Sequence, residues 1–162
     1  MNLKDVIAEI ATGKISKKPE FLLCGTFAFS HRGEFESPNQ PPAPSPTVFT
    51  PQTQVGYLTF DGQGGVSGEI TVNRNGGVSQ VSTPGGSYTL NLSSDGIATG
   101  TIKTTSQVGP TTNIGIEYSF VVADDWKELK YAVRKATATD QNNNPPLQPR
   151  VLVWGTMRRV YP

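Results

Sequence analysis

The chain has 162 residues, including 17 glycines and 13 prolines, and its formal net charge is +1 at pH 7. This length favours one domain spanning 1–162, large enough to bury a sizeable core. A charge so close to zero argues against a basic nucleic-acid-binding surface, and no apolar segment is long enough for a membrane-spanning helix. The single cysteine, Cys24, has no partner for an internal disulfide, so we expect a cytoplasmic protein and interpret Cys24 as a small buried filler.

A short helix is predicted over 1–13. Asn2 is a suitable N-cap, and Gly13 is a suitable stop. Between them, apolar residues recur at the spacing of one helical face: Leu3, Val6, Ile7 and Ile10. This stripe must pack against another surface, and the flank of a β-barrel or a second subunit would serve.

Beyond the helix the apolar period changes to two, which predicts a barrel over 21–160. Its strands are expected at near-regular spacing: Phe21–Ser30, Thr53–Phe60, Gly65–Asn73, Ser87–Leu92, Ile97–Thr105, Ile114–Ala123, Trp126–Thr137 and Arg150–Val160. Asp61-Gly62 and Asp95-Gly96 are typical hairpin turns, and no helical pattern separates consecutive strands. We therefore predict an all-β fold, an antiparallel up-and-down β-barrel of about eight strands with a short N-terminal helix. A flattened β-sandwich is the alternative.

The segment 30–52 is predicted to be a long loop. It carries six prolines: Pro38, Pro41, Pro42, Pro44, Pro46 and Pro51. Proline supplies no backbone N–H for a strand ladder and favours extended polyproline conformations. Because a loop of this length in a compact domain is usually a lid, a binding segment or disordered, we interpret it as a lid over the barrel.

The last predicted strand is apolar on both faces. Val151, Val153 and Met157 lie on one face, and Leu152 and Trp154 lie on the other. A strand that is buried on both sides needs a second cover. The N-terminal helix or a second copy of the chain could supply it, so a homodimer through the last strand or the helix is one hypothesis.

In this pattern the chain resembles the calycin superfamily, which includes lipocalins and allene-oxide-cyclase-like barrels, and it is similar to small bacterial barrel proteins of unassigned function. A short helix precedes the first strand, and Gly25-Thr26-Phe27 resembles the lipocalin Gly-x-Trp with Phe in place of Trp. The last strand ends in Arg158-Arg159, where lipocalins place an arginine over that aromatic ring. The resemblance implies an internal cavity and no particular ligand.

Alternation places a set of aromatic residues on the inner face of the predicted strands. We predict that eight residues line a pocket for an apolar or aromatic small molecule: Phe27, Phe29, His31, Phe60, Tyr88, Tyr118, Phe120 and Tyr131. The same aromatic residues could instead pack solid as a core, and periodicity does not separate these two interpretations.

His31, the only histidine, is predicted to lie at the barrel rim and is the one candidate for a general base. Glu34 and Glu36 could join it in a proton-transfer cluster. A rim histidine bonded to backbone and two solvated loop charges are the preferred interpretation. One histidine and one cysteine do not make a zinc site, so we expect neither a metal nor another cofactor.

Three functional hypotheses follow. The first is a binding module for a small apolar or aromatic molecule, with no nucleic-acid or membrane partner. The second is an isomerase or cyclase in the same cavity, by analogy with allene-oxide-cyclase-like barrels. The third is a structural or interaction protein with a filled barrel. A connected internal cavity would favour the first two, and a solid interior would favour the third.

Overall fold

A computed structural model describes residues 3–14, 19–36, 49–74, 76–108, 112–123, 126–140 and 149–160. These residues form one α-helix, α1 (Leu3–Ala11), a 3₁₀ helix (Pro19–Leu22) and eight strands. The strands are β1 (Cys24–Glu36), β2 (Phe49–Asp61), β3 (Gly65–Arg74), β4 (Gly77–Leu92), β5 (Ala98–Val108), β6 (Thr112–Ala123), β7 (Glu128–Asp140) and β8 (Val151–Arg159).

The eight strands form a closed antiparallel barrel in sequence order. Each strand pairs with the next, and β1 closes the barrel by pairing with β8 from Phe27/Arg159 to Phe35/Val151. The β7–β8 pairing is the shortest of the eight and runs from Glu128/Arg158 to Ala132/Trp154. The predicted fold class, an eight-stranded antiparallel up-and-down barrel with a short N-terminal helix, is confirmed, and the alternative sandwich is wrong.

The predicted loop 30–52 is too long at both ends. β1 continues through Glu36, and β2 begins at Phe49. Pro51 is compatible with this because it pairs with Glu34 of β1, whereas the β2–β3 ladder begins only at Gln52. A proline at the start of a strand removes no bond from the second ladder. The remaining part of the predicted lid, 37–48, lies outside the described residues.

β4 begins ten residues before its predicted start at Ser87, because a bulge carries it past a turn-like sequence. The register of β3 and β4 shifts between the pairs Val66/Gly86 and Gly68/Thr83. Proline and glycine are accepted in bulges, where the ladder is already broken. Because one extra residue reverses the alternation, odd-numbered side chains of β4 point inward before the bulge and even-numbered ones after it.

A second bulge re-phases β7. The register with β6 shifts between Glu117 and Tyr118. On β7, the large side chain of Tyr131 points inward on one side of this shift, and the small side chain of Ala136 points inward on the other. The bulge therefore determines which half of β7 directs large side chains into the barrel and which half directs small ones there.

The barrel has two different ends. We call the end that carries the 3₁₀ helix and the β2–β3, β4–β5 and β6–β7 connections the helix end. The opposite end, reached by the β1–β2, β3–β4, β5–β6 and β7–β8 connections, is the distal end. Most of the connecting residues at the distal end lie outside the described residues.

The helix end is filled with packed side chains. Phe60 lies edge-on to Phe27 and to Tyr88, with ring centroids 5.4 and 5.1 Å apart. The Tyr88 hydroxyl lies 2.8 Å from the carbonyl oxygen of Glu20 and 2.7 Å from that of Leu23, and so ties the 3₁₀ helix to the barrel. Burial raises the pKa of Tyr88 to about 12, so it stays a neutral donor.

Arg159 covers the aromatic ring of the first strand. Its guanidinium carbon lies 5.2 Å from the centroid of Phe27, and the two residues are register partners of β8 and β1. This is the contact that the sequence resemblance implies for the arginine at the end of the last strand. A guanidinium over a ring face is favourable because the π-system is negative there.

The outer surface of the barrel carries Cys24 and two apolar side chains of β8. Cys24 is exposed, so the prediction that it is a buried filler is wrong: the alternation buries its neighbour Leu23 instead. Leu152 and Trp154 of β8 are 53% and 69% exposed. The α1 helix packs against β4. A homodimer through β8 or the helix stays a prediction.

The packed helix end predicts a large cost for removing one ring. Phe60→Ala should lower the free energy of unfolding by roughly 3–5 kcal/mol, because it removes buried apolar surface and leaves a cavity. Ile97→Ala, at a residue 54% exposed, is the control and should change stability by about 0.5 kcal/mol or less. Urea denaturation of both variants measures the difference. Equal effects would contradict a filled core at this end.

Candidate ligand-binding site

All eight predicted ligand-binding residues point into the barrel and are buried: Phe27, Phe29, His31, Phe60, Tyr88, Tyr118, Phe120 and Tyr131. Seven of them belong to the hydrophobic core, and the histidine packs among them. The prediction that His31 lies at the rim is wrong, because β1 continues beyond it to Glu36. A ligand contact at these residues stays a prediction.

Aromatic rings crowd the interior around His31. The imidazole stacks on Phe29, with centroids 5.5 Å apart and ring planes at 11°. The Tyr131 ring stands edge-on to His31 at 5.7 Å, and Tyr118 stands edge-on to Tyr131 at the same distance. The interior of an eight-stranded barrel has room for its own side chains or for one small ligand, and large rings such as these leave little free space at this level.

His31 and Tyr131 form a buried hydrogen-bonded pair. Nδ1 of the imidazole bonds to the Tyr131 hydroxyl, and the tautomer decides which of them donates. Nε2 is buried and has no hydrogen-bond partner of good geometry among the described residues. The sequence led us to expect a backbone hydrogen-bond partner for His31. In the structure its partner is the phenol of Tyr131 on β7.

Burial keeps both members of the pair neutral. It lowers the pKa of His31 from 6.5 to about 4, and the Gln54 side chain opposes this shift only in part. Burial also raises the pKa of Tyr131, and it raises that of Tyr118 to about 12. Since a charged imidazolium would lose its hydration here, His31 is a neutral imidazole at pH 7.

Gly155 of β8 makes room for this pair. A Cβ at that position would lie 2.7 Å from the Tyr131 hydroxyl oxygen and 3.0 Å from the His31 Cβ. Both distances are too short for ordinary contact. Only a residue without a side chain lets the phenol and the imidazole meet beneath β8.

Short polar side chains lie beside the aromatic rings. Thr83 and Ser106 share a hydrogen bond of 2.9 Å between their hydroxyl oxygens. The Tyr118 hydroxyl bonds to the side chain of Thr104. Gln54 interacts with His31 and is itself 7% exposed. These groups are much smaller than the rings, so the interior widens where they occur.

A cavity of about 380 Å³ occupies the distal end of the barrel. Its walls come from six of the strands: Phe35, Gln54, Ile70, Val72, Arg74, Gly77, Val78, Ser79, Val81, Ser106, Ile114 and Ile116. Seven of these twelve are apolar, and branched aliphatic side chains predominate. None of the eight predicted ligand-binding residues is among them.

Arg74, the last residue of β3, brings a cation to this cavity. Nη2 donates to Oε1 of Gln52 at 3.1 Å, and the guanidinium carbon lies 4.3 Å from the centroid of the Phe35 ring. Its Nε is buried without a hydrogen-bond partner among the described residues. Burial lowers the pKa of Arg74, but a guanidinium stays charged in proteins.

The sequence carried signals for part of this cavity. Alternation along the predicted strands Gly65–Asn73 and Ile114–Ala123 turns Val72, Ile114 and Ile116 to the inner face. The same alternation continues to Arg74, but the predicted strand stops one residue earlier. Phe35 lay in the predicted loop, and the first half of β4 was not recognised as a strand. These errors in strand length hid the cavity.

Carboxylates do not gather around His31 in the described part of the chain. Glu34 is exposed on the outer side of β1, which agrees with the preferred interpretation of a solvated charge. Nothing is described of the Glu36 side chain. Within the ranges that the structure describes, no three His, Cys, Asp or Glu side chains form a group that could hold a metal ion.

No family model matches the sequence, and no curated protein matches it either. Within the described ranges, none of the helices combines the length and the apolar character needed to cross a bilayer.

The burial of His31 predicts a pH dependence of folding. Between pH 6.5 and about 4 the unfolded chain binds a proton at His31 that the folded chain does not bind. The contribution of His31 to the free energy of unfolding is therefore fully present above pH 6.5. It falls by roughly 3 kcal/mol in total as the pH is lowered from 6.5 to about 4. His31→Gln should remove this contribution, so the two pH profiles of unfolding free energy should diverge across that interval.

The same property can be observed directly. Because His31 is the only histidine, its ring protons give one titration curve by NMR. We expect a midpoint near pH 4. A midpoint near 6.5 would contradict the burial of the imidazole.

The space beneath Gly155 predicts a second effect. Gly155→Ala should displace Tyr131 and His31 and destabilise the barrel by roughly 1–3 kcal/mol, because the added methyl group overpacks the site. Gly85→Ala is the matched control, since a Cβ there has no neighbour within 4 Å. Thermal denaturation gives the stability, and the His31 ring resonance shows the displacement. An unchanged resonance in Gly155→Ala would count against the proposed packing.

Proposed function

We propose that this protein binds a small, largely apolar molecule in the distal cavity of its barrel. The observation that carries the proposal is the combination of volume and lining: about 380 Å³, with mostly branched aliphatic walls. Small-molecule sites of proteins typically enclose roughly 300–1,000 Å³ and combine apolar walls with a few placed polar groups. Gln54, Ser106 and Arg74 are such polar groups here.

The walls favour a ligand with an apolar body. Burying the apolar surface of such a ligand against aliphatic side chains contributes about 25 cal/mol for each Å² removed from water. Ile70 and Val81 are already buried, with 5% and 9% exposure, so they form a stiff part of the wall. A site built on strands of a closed barrel holds its shape better than one built on loops.

Two finer assignments belong to the same proposal. A calycin-like relationship is supported by the closed barrel of eight strands and by Arg159 over Phe27. A cytoplasmic location is supported by the single cysteine, which allows no internal disulfide.

The cyclase hypothesis stays an alternative without an observation that favours it. His31 is not among the cavity-lining residues, although Gln54 both lines the cavity and interacts with His31. The hypothesis of a filled barrel agrees with the packed helix end, and it predicts that no small molecule enters the distal end.

Uptake of an uncharged fluorescent probe tests the proposal. N-phenyl-naphthylamine should bind with a gain in emission. Ile114→Trp should reduce this binding, because the larger side chain projects into the cavity from the inner face of β6. The matched control is Asn113→Trp, one residue earlier on the exposed face, which should bind the probe as the wild type does. Absence of binding to the wild type, or equal loss in both variants, would refute the proposal.

A further inference from the structure

One charged side chain lies among the described lining residues of the distal cavity. Arg74 ends β3, where the inner alternation through Ile70 and Val72 places it at the mouth. The remaining lining residues are apolar, glycine or short neutral polar residues. A purely apolar ligand would therefore meet aliphatic walls with a single positive charge at one side.

The Arg74 guanidinium is held in a defined orientation. Its carbon lies over the Phe35 ring, 4.3 Å from the ring centroid, and Gln52, itself 4% exposed, accepts a hydrogen bond from Nη2. Gln52 acts here as a positioning residue, since its register partner on β3 is Arg74 itself.

The charge of Arg74 has no anionic partner among the described side chains. The four ion pairs found there join Lys103, Arg134, Lys130 and Arg158 to Glu117 or Glu128. In addition, Nε of Arg74 is buried and makes no hydrogen bond within the described ranges. A buried donor without an acceptor and a half-buried cation without an anion both cost free energy, and an anion in the cavity would relieve both.

We propose that the molecule bound in the distal cavity is an apolar monocarboxylate, with its carboxylate on the guanidinium of Arg74 and its apolar body against the aliphatic walls. This inference rests on the proposed function. A carboxylate fits because its two oxygens match the planar fork of a guanidinium. One negative charge also balances the one cation of the lining, which a doubly charged phosphate monoester would not.

The walls favour an aliphatic body over an aromatic one. Isoleucine and valine supply six of the lining residues, and the single aromatic, Phe35, is engaged beneath Arg74. An aromatic acid carries the same carboxylate chemistry. The experiment therefore includes one matched pair of ligands for each kind of body.

Competition against N-phenyl-naphthylamine measures the preference on the wild-type protein. Decanoate is compared with decanol and decylamine, which share its chain, and naphthoate is compared with naphthylmethanol. Decanoate should bind about tenfold more tightly than decanol, because only the carboxylate gains a charge-assisted bond. The order is informative because decanol is the less water-soluble of the two, so transfer from water alone would favour decanol. Decylamine should bind most weakly. A larger carboxylate advantage in the naphthyl pair would identify an aromatic body.

Three variants assign the effect to Arg74. Arg74→Met should weaken decanoate binding about tenfold and leave decanol and the probe nearly unchanged, because it removes the charge and keeps an unbranched side chain. Arg32→Met is the matched control: it removes one positive charge from the exposed face of β1 and should leave decanoate binding intact. Arg74→Lys keeps the charge without the fork and should give an intermediate affinity. Thermal denaturation checks that each variant is folded.

The outcomes separate this inference from the proposed function. If the probe binds and decanoate shows no advantage over decanol, the monocarboxylate assignment is wrong and the binding module stands. Equal losses in Arg74→Met and Arg32→Met would overturn the role of Arg74, because they would indicate a general charge effect. If neither the probe nor any competitor binds to the wild type, the proposed function itself has failed.

Discussion

The pairing of β1 with β8 is the constraint on which the rest of this molecule depends. Once it forms, the interior of an eight-stranded barrel has a limited width, and every strand residue must point into it or away from it. The size of each inward side chain then decides whether a given level of the barrel is full or empty. Residues that would be ordinary on an open sheet compete here for one shared space.

This competition divides the barrel into two parts. At the helix end and around His31, phenyl, phenol and imidazole rings meet edge to face and use the available width. At the distal end, aliphatic and short polar side chains reach less far, and about 380 Å³ is left between them. The bulges in β4 and β7 belong to the same arrangement, because they exchange the inward face of each strand along its length.

A buried base, His31, and a half-buried one, Arg74, respond to the loss of hydration in different ways. The imidazole of His31 loses its proton, because its pKa falls to about 4, and it becomes a neutral partner for the Tyr131 phenol. The guanidinium of Arg74 has no such option and keeps its charge. It is supported by a ring and an amide, and neither of these neutralises it. The histidine is therefore a neutral ring within the core that bonds through Nδ1 alone among the described residues, whereas the arginine gives the cavity its electrostatic character.

The sequence by itself determined the class of fold, because the period-two patterns, the Asp-Gly turns and the absence of a helical pattern between consecutive strands led to eight antiparallel strands. Alternation also correctly turned all eight predicted aromatic and histidine residues inward. Only the tertiary structure decided which inward residues surround empty space. Periodicity reports the direction of a side chain, but free volume depends on what the other seven strands bring to the same level. Strand length also depended on the partner strands, because β1, β2, β3 and the first half of β4 extend through prolines, glycines and an arginine that local pattern assigns to loops. For this reason Phe35 and Arg74 entered the candidate site only when the barrel was closed.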